Sequence, residues 1–199
     1  MTPRPYLSFS QMCLWEMSPE KYLAHYVYGE EQPITQNILY GKLMADSLES
    51  DELSGDLLLD LAMVRLPKYE LMDIAFEVEL DDRNKPPIRI LAKPDSAQSD
   101  YAAFFEYKSS VRKWTQKMAD ESNQITFYAM AMWLKTGKIP RDIELIDVQV
   151  AYKDNGRLAP TGEIFRFPTK RTIVDVIKMT RRVRTAWHEI QKACTKELL

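Results

Sequence analysis

The first third of the chain spaces its hydrophobic residues as helices do. Residues 10–28 place aromatic side chains at helical intervals, and Ser8 and Ser10 are candidate N-cap residues. Residues 35–48 and 55–64 predict two more helices, the second of them shorter. The sequence therefore predicts a helical N-terminal part.

A change of period then indicates strands. Residues 74–80 alternate between apolar and polar, and a polar turn with two prolines follows at 81–87. Apolar runs at residues 88–92 and 102–107 predict a second and a third strand.

The rest of the chain mixes both patterns. Residues 118–134 predict a helix that stops near Gly137, and residues 143–152 and 163–167 predict two strands. From residue 173 to residue 194, apolar residues recur at steps of three and four, which predicts an amphipathic terminal helix. This order predicts a mixed α/β fold with a small central sheet flanked by helices.

The length of 199 residues suits one domain with a sizeable core. We expect a helical part at about 8–64, a sheet and helix at about 69–155, and a basic helix at about 169–197.

The composition excludes two classes of protein. Hydrophobic residues make up 45% and the net charge is −2, so neither a disordered chain nor a polybasic DNA-coating protein is expected. The charge is unevenly distributed: residues 42–82 hold 3 basic and 12 acidic residues, and residues 165–199 hold 9 basic and 3 acidic ones. The acidic segment 42–82 could repel DNA or bind a protein partner, whereas the basic segments could contact phosphates.

Neither the cysteines nor the apolar runs indicate an extracellular or membrane protein. Cys13 and Cys194 form no disulfide framework and no CxxC zinc pair. The first residues have no apolar signal region, and no apolar run reaches the roughly 18 residues that cross a bilayer. We expect no membrane association and a cytoplasmic location, or the host cytoplasm for a viral protein.

The residues that suggest chemistry are Asp95, Glu106 and Lys108. Glu106 and Lys108 lie two apart on a predicted strand and so share one face. A hairpin would bring Asp95, at the end of the preceding strand, close to both. Two adjacent carboxylates repel each other unless a hard cation such as Mg²⁺ lies between them. Lys108 could then orient a water molecule or stabilise charge on a phosphate.

These residues resemble the motifs of the PD-(D/E)xK nuclease superfamily, in its RecB-like exonuclease branch. A proline precedes Asp95, Glu106-x-Lys108 follows, and Gln124 and Tyr128 match the Q-x-x-x-Y helix motif. Trp114, the segment 8–13 and Tyr22 also resemble parts of such nucleases.

The resemblance implies a restriction-endonuclease-like core and an Mg²⁺- or Mn²⁺-dependent exodeoxyribonuclease in recombination, repair or phage DNA processing. Asp95 and Glu106 would bind the metal together with the carbonyl of Tyr107. Lys108 would be the catalytic lysine, and Gln124 and Tyr128 would shape the site.

One position departs from the family pattern. The G-x-x-x-H motif, whose histidine binds metal, has Ala45 in place of that histidine four residues after Gly41. Glu49 lies one turn further on the same helical face and is the expected substitute, with Asp46 as second choice.

We expect no iron–sulfur cluster, because two cysteines cannot supply the four thiolates that RecB-like relatives in CRISPR adaptation use. We do expect contacts with single- or double-stranded DNA. The candidate nucleic-acid-binding residues are Arg112, Lys113, Trp114, Lys117, Arg181 and Arg182.

Two other functions remain open at this point. Because Ala45 weakens the expected metal site, the chain could be a catalytically weakened nucleic-acid-binding or scaffold protein with the nuclease fold. It could also be a regulator that binds a protein partner through its acidic segment.

Overall fold

Eight strands form two sheets in the part of the chain that the computed structural model describes, residues 4–31, 33, 35–50, 53–83 and 85–197. In chain order the strands are β1 (Leu7–Ser8), β2 (Leu71–Met72), β3 (Phe76–Asp82), β4 (Lys85–Ala92), β5 (Ser96–Ala97), β6 (Ala103–Ser110), β7 (Asp142–Tyr152) and β8 (Leu158–Thr169). The smaller sheet has the order β1-β4-β3, and the larger sheet has the order β2-β5-β6-β7-β8. In the larger sheet, β6 and β7 pair in parallel and the other neighbours are antiparallel.

Helices cover both faces of the larger sheet. They are α1 (Phe9–Met17), α2 (Pro19–Tyr22), α3 (Gln36–Ser50), α4 (Leu57–Val64), α5 (Gln116–Asp120), α6 (Asn123–Thr136) and α7 (Ile173–Glu197), with a π-helical turn at Leu23–Val27. None of these described helices combines the length and the hydrophobicity that crossing a bilayer requires. The predicted mixed α/β fold is confirmed, with its strands divided between two small sheets.

Alternate residues of β6 point into two separate cores. Phe104 joins a core formed with the smaller sheet, α1, α6 and α7. Phe105 and Tyr107 join a second core with α3, α4 and β7. The pairs α3/α4 and α6/α7 therefore lie on opposite faces of the larger sheet.

Two predicted helices are interrupted in the structure. The predicted helix at 10–28 breaks at Ser18, whose hydroxyl accepts from the Lys21 N–H at 3.3 Å and so begins α2. The predicted helix at 118–134 breaks at Ser122, which accepts from the Ile125 N–H at 3.4 Å and begins α6. A serine hydroxyl competes with the helix for backbone donors, so each serine starts a new helix.

Two strand boundaries also differ from the predictions. β4 starts at Lys85 and therefore includes Pro86 and Pro87, which the sequence pattern assigned to the turn. Both prolines lie outside the short stretch, Ile90 and Leu91, where β1 pairs with β4. β8 spans Leu158–Thr169 instead of 163–167, and its prolines are tolerated because it is an edge strand. α7 starts at Ile173, as the periodicity predicts, because the Asp175 N–H donates to the hydroxyl of Thr172, which caps the helix.

Candidate active site

Asp95 reaches the site through a different hairpin from the predicted one. The preceding strand β4 pairs with β3 in the smaller sheet and does not deliver Asp95 to β6. Asp95 lies directly before β5, which pairs antiparallel with β6 and places Ser96 opposite Phe105. Its Oδ2 accepts a hydrogen bond from the Tyr107 N–H at 2.7 Å. The expected proximity is therefore present, but a two-residue strand creates it.

Glu106 and Lys108 share one face of β6, as the spacing predicts. The Nζ of Lys108 lies 2.5 Å from the Oε1 of Glu106 and donates to the Oε1 of Gln124 at 2.8 Å. The Nε2 of Gln124 donates in turn to the hydroxyl of Tyr128 at 3.1 Å. The structure thus joins four of the predicted catalytic residues in one hydrogen-bonded chain between β6 and α6.

The two carboxylates interact strongly because Glu106 is buried and Asp95 is half-buried next to it. Glu106 is 1% exposed. Burial raises the pKa of Asp95 well above its ordinary value, and repulsion from Glu106 raises it further. Burial also raises the pKa of Glu106, although the Lys108 ammonium opposes this shift. Bringing both groups to their charged forms therefore costs free energy in the metal-free protein.

Lys108 remains an ammonium ion in this site. Burial by itself would lower its pKa, but the carboxylates of Glu106 and Asp95 outweigh that effect and raise it. A protonated lysine donates hydrogen bonds and accepts none. It therefore suits stabilisation of negative charge and does not suit general-base chemistry at neutral pH.

One oxygen of this site is left unsatisfied. The Oε2 of Glu106 is buried and has no hydrogen-bond partner among the described residues. A buried carboxylate oxygen next to a second carboxylate fits a hard divalent cation, which binds through oxygen. In the described part of the chain, no three His, Cys, Asp or Glu side chains converge closely enough to hold a metal. Asp95 and Glu106 are the two carboxylates whose charges interact directly here.

A cavity of about 200 Å³ opens beside these groups, between α3 and the end of β6. Its lining includes Asp95, Lys108, Ala45 and Glu49, so α3 places the predicted substitute ligand at the cavity that Asp95 lines. Glu49 is exposed there, and its role as a ligand stays a prediction. α3 lies within ordinary van der Waals distance of β6 at Gly41, where an added Cβ would lie 3.8 Å from the Oγ of Ser109.

The sequence reasoning missed Asp73. This residue lines the same cavity, forms an ion pair with Lys93, and raises the pKa of Asp95 further through its charge. Its N–H donates to the carbonyl of Asp95 at 2.9 Å, which fixes the chain before β5. The signal in the sequence was that Asp73 is the one acidic residue in the apolar run at 71–76.

Asp147 was also missed. It is fully buried on β7, opposite Lys108 in the parallel register. It accepts hydrogen bonds from the Ser110 hydroxyl at 2.6 Å and from the Trp114 N–H at 3.1 Å. The Nε2 of Gln149 donates to the Ser110 carbonyl at 2.6 Å. These two polar residues, which interrupt an apolar strand sequence, hold the turn that follows β6.

The predicted nucleic-acid-binding residues divide into two groups. The first group follows β6 directly and consists of Arg112, Lys113, Trp114 and Lys117. Trp114 packs partly against the core. The Nζ of Lys113 lies 3.4 Å from the centre of the Phe165 ring. The second group, Arg181 and Arg182, lies on α7. This helix is far along the chain from the residues that follow β6, and it packs against α1 and α6.

Arg182 pairs with both carboxylate oxygens of Glu16, so its charge is already matched within the chain. Arg181 is exposed. Of the predicted nucleic-acid-binding residues, only the first group therefore lies next to β6 along the chain.

Comparison with known proteins gives a similarity of fold. No protein-family model and no curated protein matches the chain. An alkaline exonuclease from Laribacter hongkongensis is 12% identical and matches with a TM-score of 0.42 over 98% of this chain and 94% of its own. The same enzyme in complex with dAMP is 13% identical, with a TM-score of 0.47 over the same shares of the two chains.

The structure of a candidate exonuclease from Eubacterium rectale is more similar. It matches with a TM-score of 0.62 and 14% identity, over 97% of this chain and 82% of its own. At that identity the similarity establishes the fold alone, so this chain has the fold of a candidate exonuclease.

Proposed function

We propose that this protein is a metal-dependent nuclease that hydrolyses DNA phosphodiester bonds, and that it acts as an exonuclease of the RecB-like type. Recombination, repair or phage DNA processing would be its setting. The observation that carries this proposal is the unsatisfied Oε2 of Glu106, buried next to Asp95, which lines the cavity together with Lys108. The shared fold with a candidate exonuclease supports it.

Asp95 and Glu106 would hold Mg²⁺ or Mn²⁺, with the main-chain carbonyl of Tyr107 as a further ligand. When bound, such a cation lowers the pKa of a water ligand and offsets charge on a phosphate. The Tyr107 N–H keeps one oxygen of Asp95 in place and leaves its other oxygen for the cation. The two carboxylates would therefore supply hard oxygen ligands from β6 and from the residue that precedes its neighbour β5.

Lys108 would contact the phosphate that is cleaved. Its ammonium has three N–H donors, and Glu106 and Gln124 account for two of them. Lys108 also lines the cavity, so the third donor can meet a phosphate oxygen or the attacking water. An ammonium held in advance by two partners stabilises developing negative charge without reorganisation.

Gln124 and Tyr128 would position Lys108. They lie four residues apart on α6, which puts them on one helical face towards β6. The hydroxyl of Tyr128 accepts from the Gln124 amide and so orients the amide oxygen towards the ammonium. The segment at residues 111–117, which joins β6 to the start of α5, would carry the DNA strand past the site through its arginine, lysines and tryptophan.

A second candidate function rests on Ala45. Since only two acidic side chains converge among the described residues, the metal could bind weakly, and the chain could be a nucleic-acid-binding or scaffold protein. The two candidates differ in one measurable property, which is turnover of DNA.

The test is degradation of linear and circular DNA, single- and double-stranded, with Mg²⁺, Mn²⁺ or EDTA. We expect nucleotides to be released from linear substrates only, and only with a metal. Glu106→Gln and Lys108→Ala should each reduce the rate by at least about a hundredfold. Glu79→Gln and Lys138→Ala change exposed residues away from the site and serve as matched controls.

Two outcomes would count against the proposal. Absence of degradation in every metal, together with retained DNA binding, would favour the scaffold function. Degradation that is unchanged in Lys108→Ala would show that this site does not perform the reaction. Metal binding itself is measured separately by titrating Mn²⁺ into the wild type and Asp95→Asn.

A further inference from the structure

Asp73 binds the segment that carries Asp95 through its main chain. β2 and β5 pair antiparallel, with Met72 opposite Ser96. One residue beyond this pair, the N–H of Asp73 donates to the carbonyl of Asp95 at 2.9 Å. This hydrogen bond continues the pairing beyond the two strands, so the main chain of Asp73 fixes the position of a residue that is assigned to the cation.

The side chain of Asp73 binds the same segment at a second point. Its carboxylate forms an ion pair with the ammonium of Lys93, which lies two residues before Asp95. Pro94, between the two contact points, is buried. One residue therefore holds the segment 93–95 on both sides of the proline, once through its side chain and once through its main chain.

Asp73 has a backbone conformation that few residues with a side chain adopt. Its φ of 48° lies in the left-handed region. Aspartate and asparagine occupy this region more often than other non-glycine residues, but the conformation persists only where surrounding contacts stabilise it. The two contacts with the segment 93–95 supply that stabilisation and connect the conformation of Asp73 to the position of Asp95.

The ion pair also determines where the positive charge of Lys93 lies. The Lys93 side chain is 51% exposed and carries its ammonium on a flexible four-carbon stem, two residues from Asp95. The Tyr107 N–H binds one oxygen of Asp95 and leaves the other oxygen for a cation. A lysine ammonium that turned to this second oxygen would compete with the cation and repel it. Asp73, which lines the cavity, provides the ammonium with another partner.

We propose that Asp73 is a positioning residue of the cation site, which holds the Lys93 ammonium away from Asp95 and so keeps the Asp95 carboxylate free for a divalent cation. This inference rests on the proposed function, since it requires a cation at Asp95. Asp73 acts through Lys93 in this arrangement and is not itself a ligand. The pair of Asp73 and Lys93 has no net charge, so it neither attracts nor repels the cation strongly.

Two single variants should change the affinity for Mn²⁺ in opposite directions. Asp73→Asn keeps the main-chain N–H and a side chain that tolerates a positive φ, so it removes little except the charge. It leaves Lys93 unpaired, and an unpaired charge several ångströms from a divalent cation should weaken its binding roughly tenfold. Lys93→Met leaves Asp73 unpaired instead, so binding should strengthen by roughly the same factor.

The double variant Asp73→Asn with Lys93→Met separates this role from two others. It lacks both charges, as the neutral pair does in effect, so its affinity for Mn²⁺ should return to within about threefold of the wild type. If Asp73 bound the cation directly, or if its loss only disturbed the fold, removal of Lys93 would not restore binding. A crystal structure of Asp73→Asn without metal should place the Nζ of Lys93 within about 4 Å of the Asp95 carboxylate.

The test is titration of Mn²⁺ into the purified full chain, with free Mn²⁺ measured by electron paramagnetic resonance. Asp95→Asn should weaken binding strongly and so locates the measured ion at this site. Glu77→Gln and Arg89→Met are the matched controls, because they break an exposed ion pair on the smaller sheet, and each should bind Mn²⁺ like the wild type. Circular dichroism checks that every variant is folded.

The outcomes separate this inference from the proposed function. Unchanged affinity in Asp73→Asn, a double variant that binds as weakly as Asp73→Asn, or a Lys93 that stays away from Asp95 in the crystal would overturn the inference and leave the cation site in place. A wild type that binds no Mn²⁺, or that binds it equally well after Asp95→Asn, would overturn the cation site and the inference with it.

Discussion

Replacing Lys108 by methionine should destabilise the metal-free protein by about 2–3 kcal/mol at pH 8. Methionine keeps most of the volume of the lysine stem, so the cavity contribution is small. The change removes the ammonium that lies 2.5 Å from the Glu106 carboxylate and leaves that buried carboxylate beside Asp95.

The magnitude follows from burial. Removing one partner of a buried ion pair typically costs about 3–5 kcal/mol. The Glu106 side chain is 1% exposed, but that of Lys108 is 28% exposed, so water reaches the vacated position and reduces the cost. Loss of the hydrogen bond to Gln124 contributes about 1 kcal/mol of the expected total.

The cost should depend on pH. Without Lys108, the pKa of Glu106 rises further in the folded state, because the group that lowers it is absent. When the pKa of a carboxyl group is higher in the folded protein than its value of about 4.3 in the unfolded chain, the folded protein becomes less stable as the pH rises above 4.3. The destabilisation should therefore be smaller at pH 5 than at pH 8.

Urea denaturation at both pH values, followed by tryptophan fluorescence with EDTA present, measures this effect. Lys138→Met is the control and should change the free energy of unfolding by less than about 0.5 kcal/mol. The double variant Glu106→Gln with Lys108→Met should recover most of the loss, because no unpaired charge remains. A loss below about 1 kcal/mol at pH 8, or a double variant less stable than the single one, would refute the reasoning.

Three more predictions concern other parts of the structure. Asp95→Asn should melt at a higher temperature than the metal-free wild type at pH 8, because burial raises the pKa of the Asp95 carboxyl and its ionisation then costs stability. The difference in melting temperature should vanish towards pH 4. A constant difference from pH 4 to pH 8 would contradict this. Gly137→Ala should lower the free energy of unfolding by about 1–2 kcal/mol in urea, since Gly137 ends α6 with a φ of 74°; an unchanged midpoint would argue against that cost. Asp147→Ala should speed tryptic cleavage after Arg112 and Lys113, because the turn after β6 loses its buried acceptor; equal cleavage rates in variant and wild type would show that other contacts hold the turn.

Local periodicity was sufficient for the features that depend on near neighbours. Glu106 and Lys108 share a face because side chains alternate along a strand, and the structure places them in direct contact. Gln124 and Tyr128 face β6 together because four residues make about one helical turn. Gly137 ends its helix in the left-handed conformation, as its position after an apolar helical run predicts.

The prediction failed where two patterns overlapped. Residues 10–28 and 118–134 read as continuous helices, because apolar spacing continues across Ser18 and Ser122. The hydroxyls of these serines bind backbone N–H groups and start new helices at both places. Periodicity measures the apolar face of a segment and does not detect such local competition.

The sequence by itself determined the order of the longer helices and strands, the shared face of Glu106 and Lys108, and the uneven distribution of charge. Only the tertiary structure decided that β5, and not β4, delivers Asp95, and that Asp73 and Asp147 support the site. It also decided that the apolar side of α4 faces solvent. The physical reason is that strand pairing and burial depend on contacts between residues far apart in the chain, which the spacing of neighbouring residues does not specify.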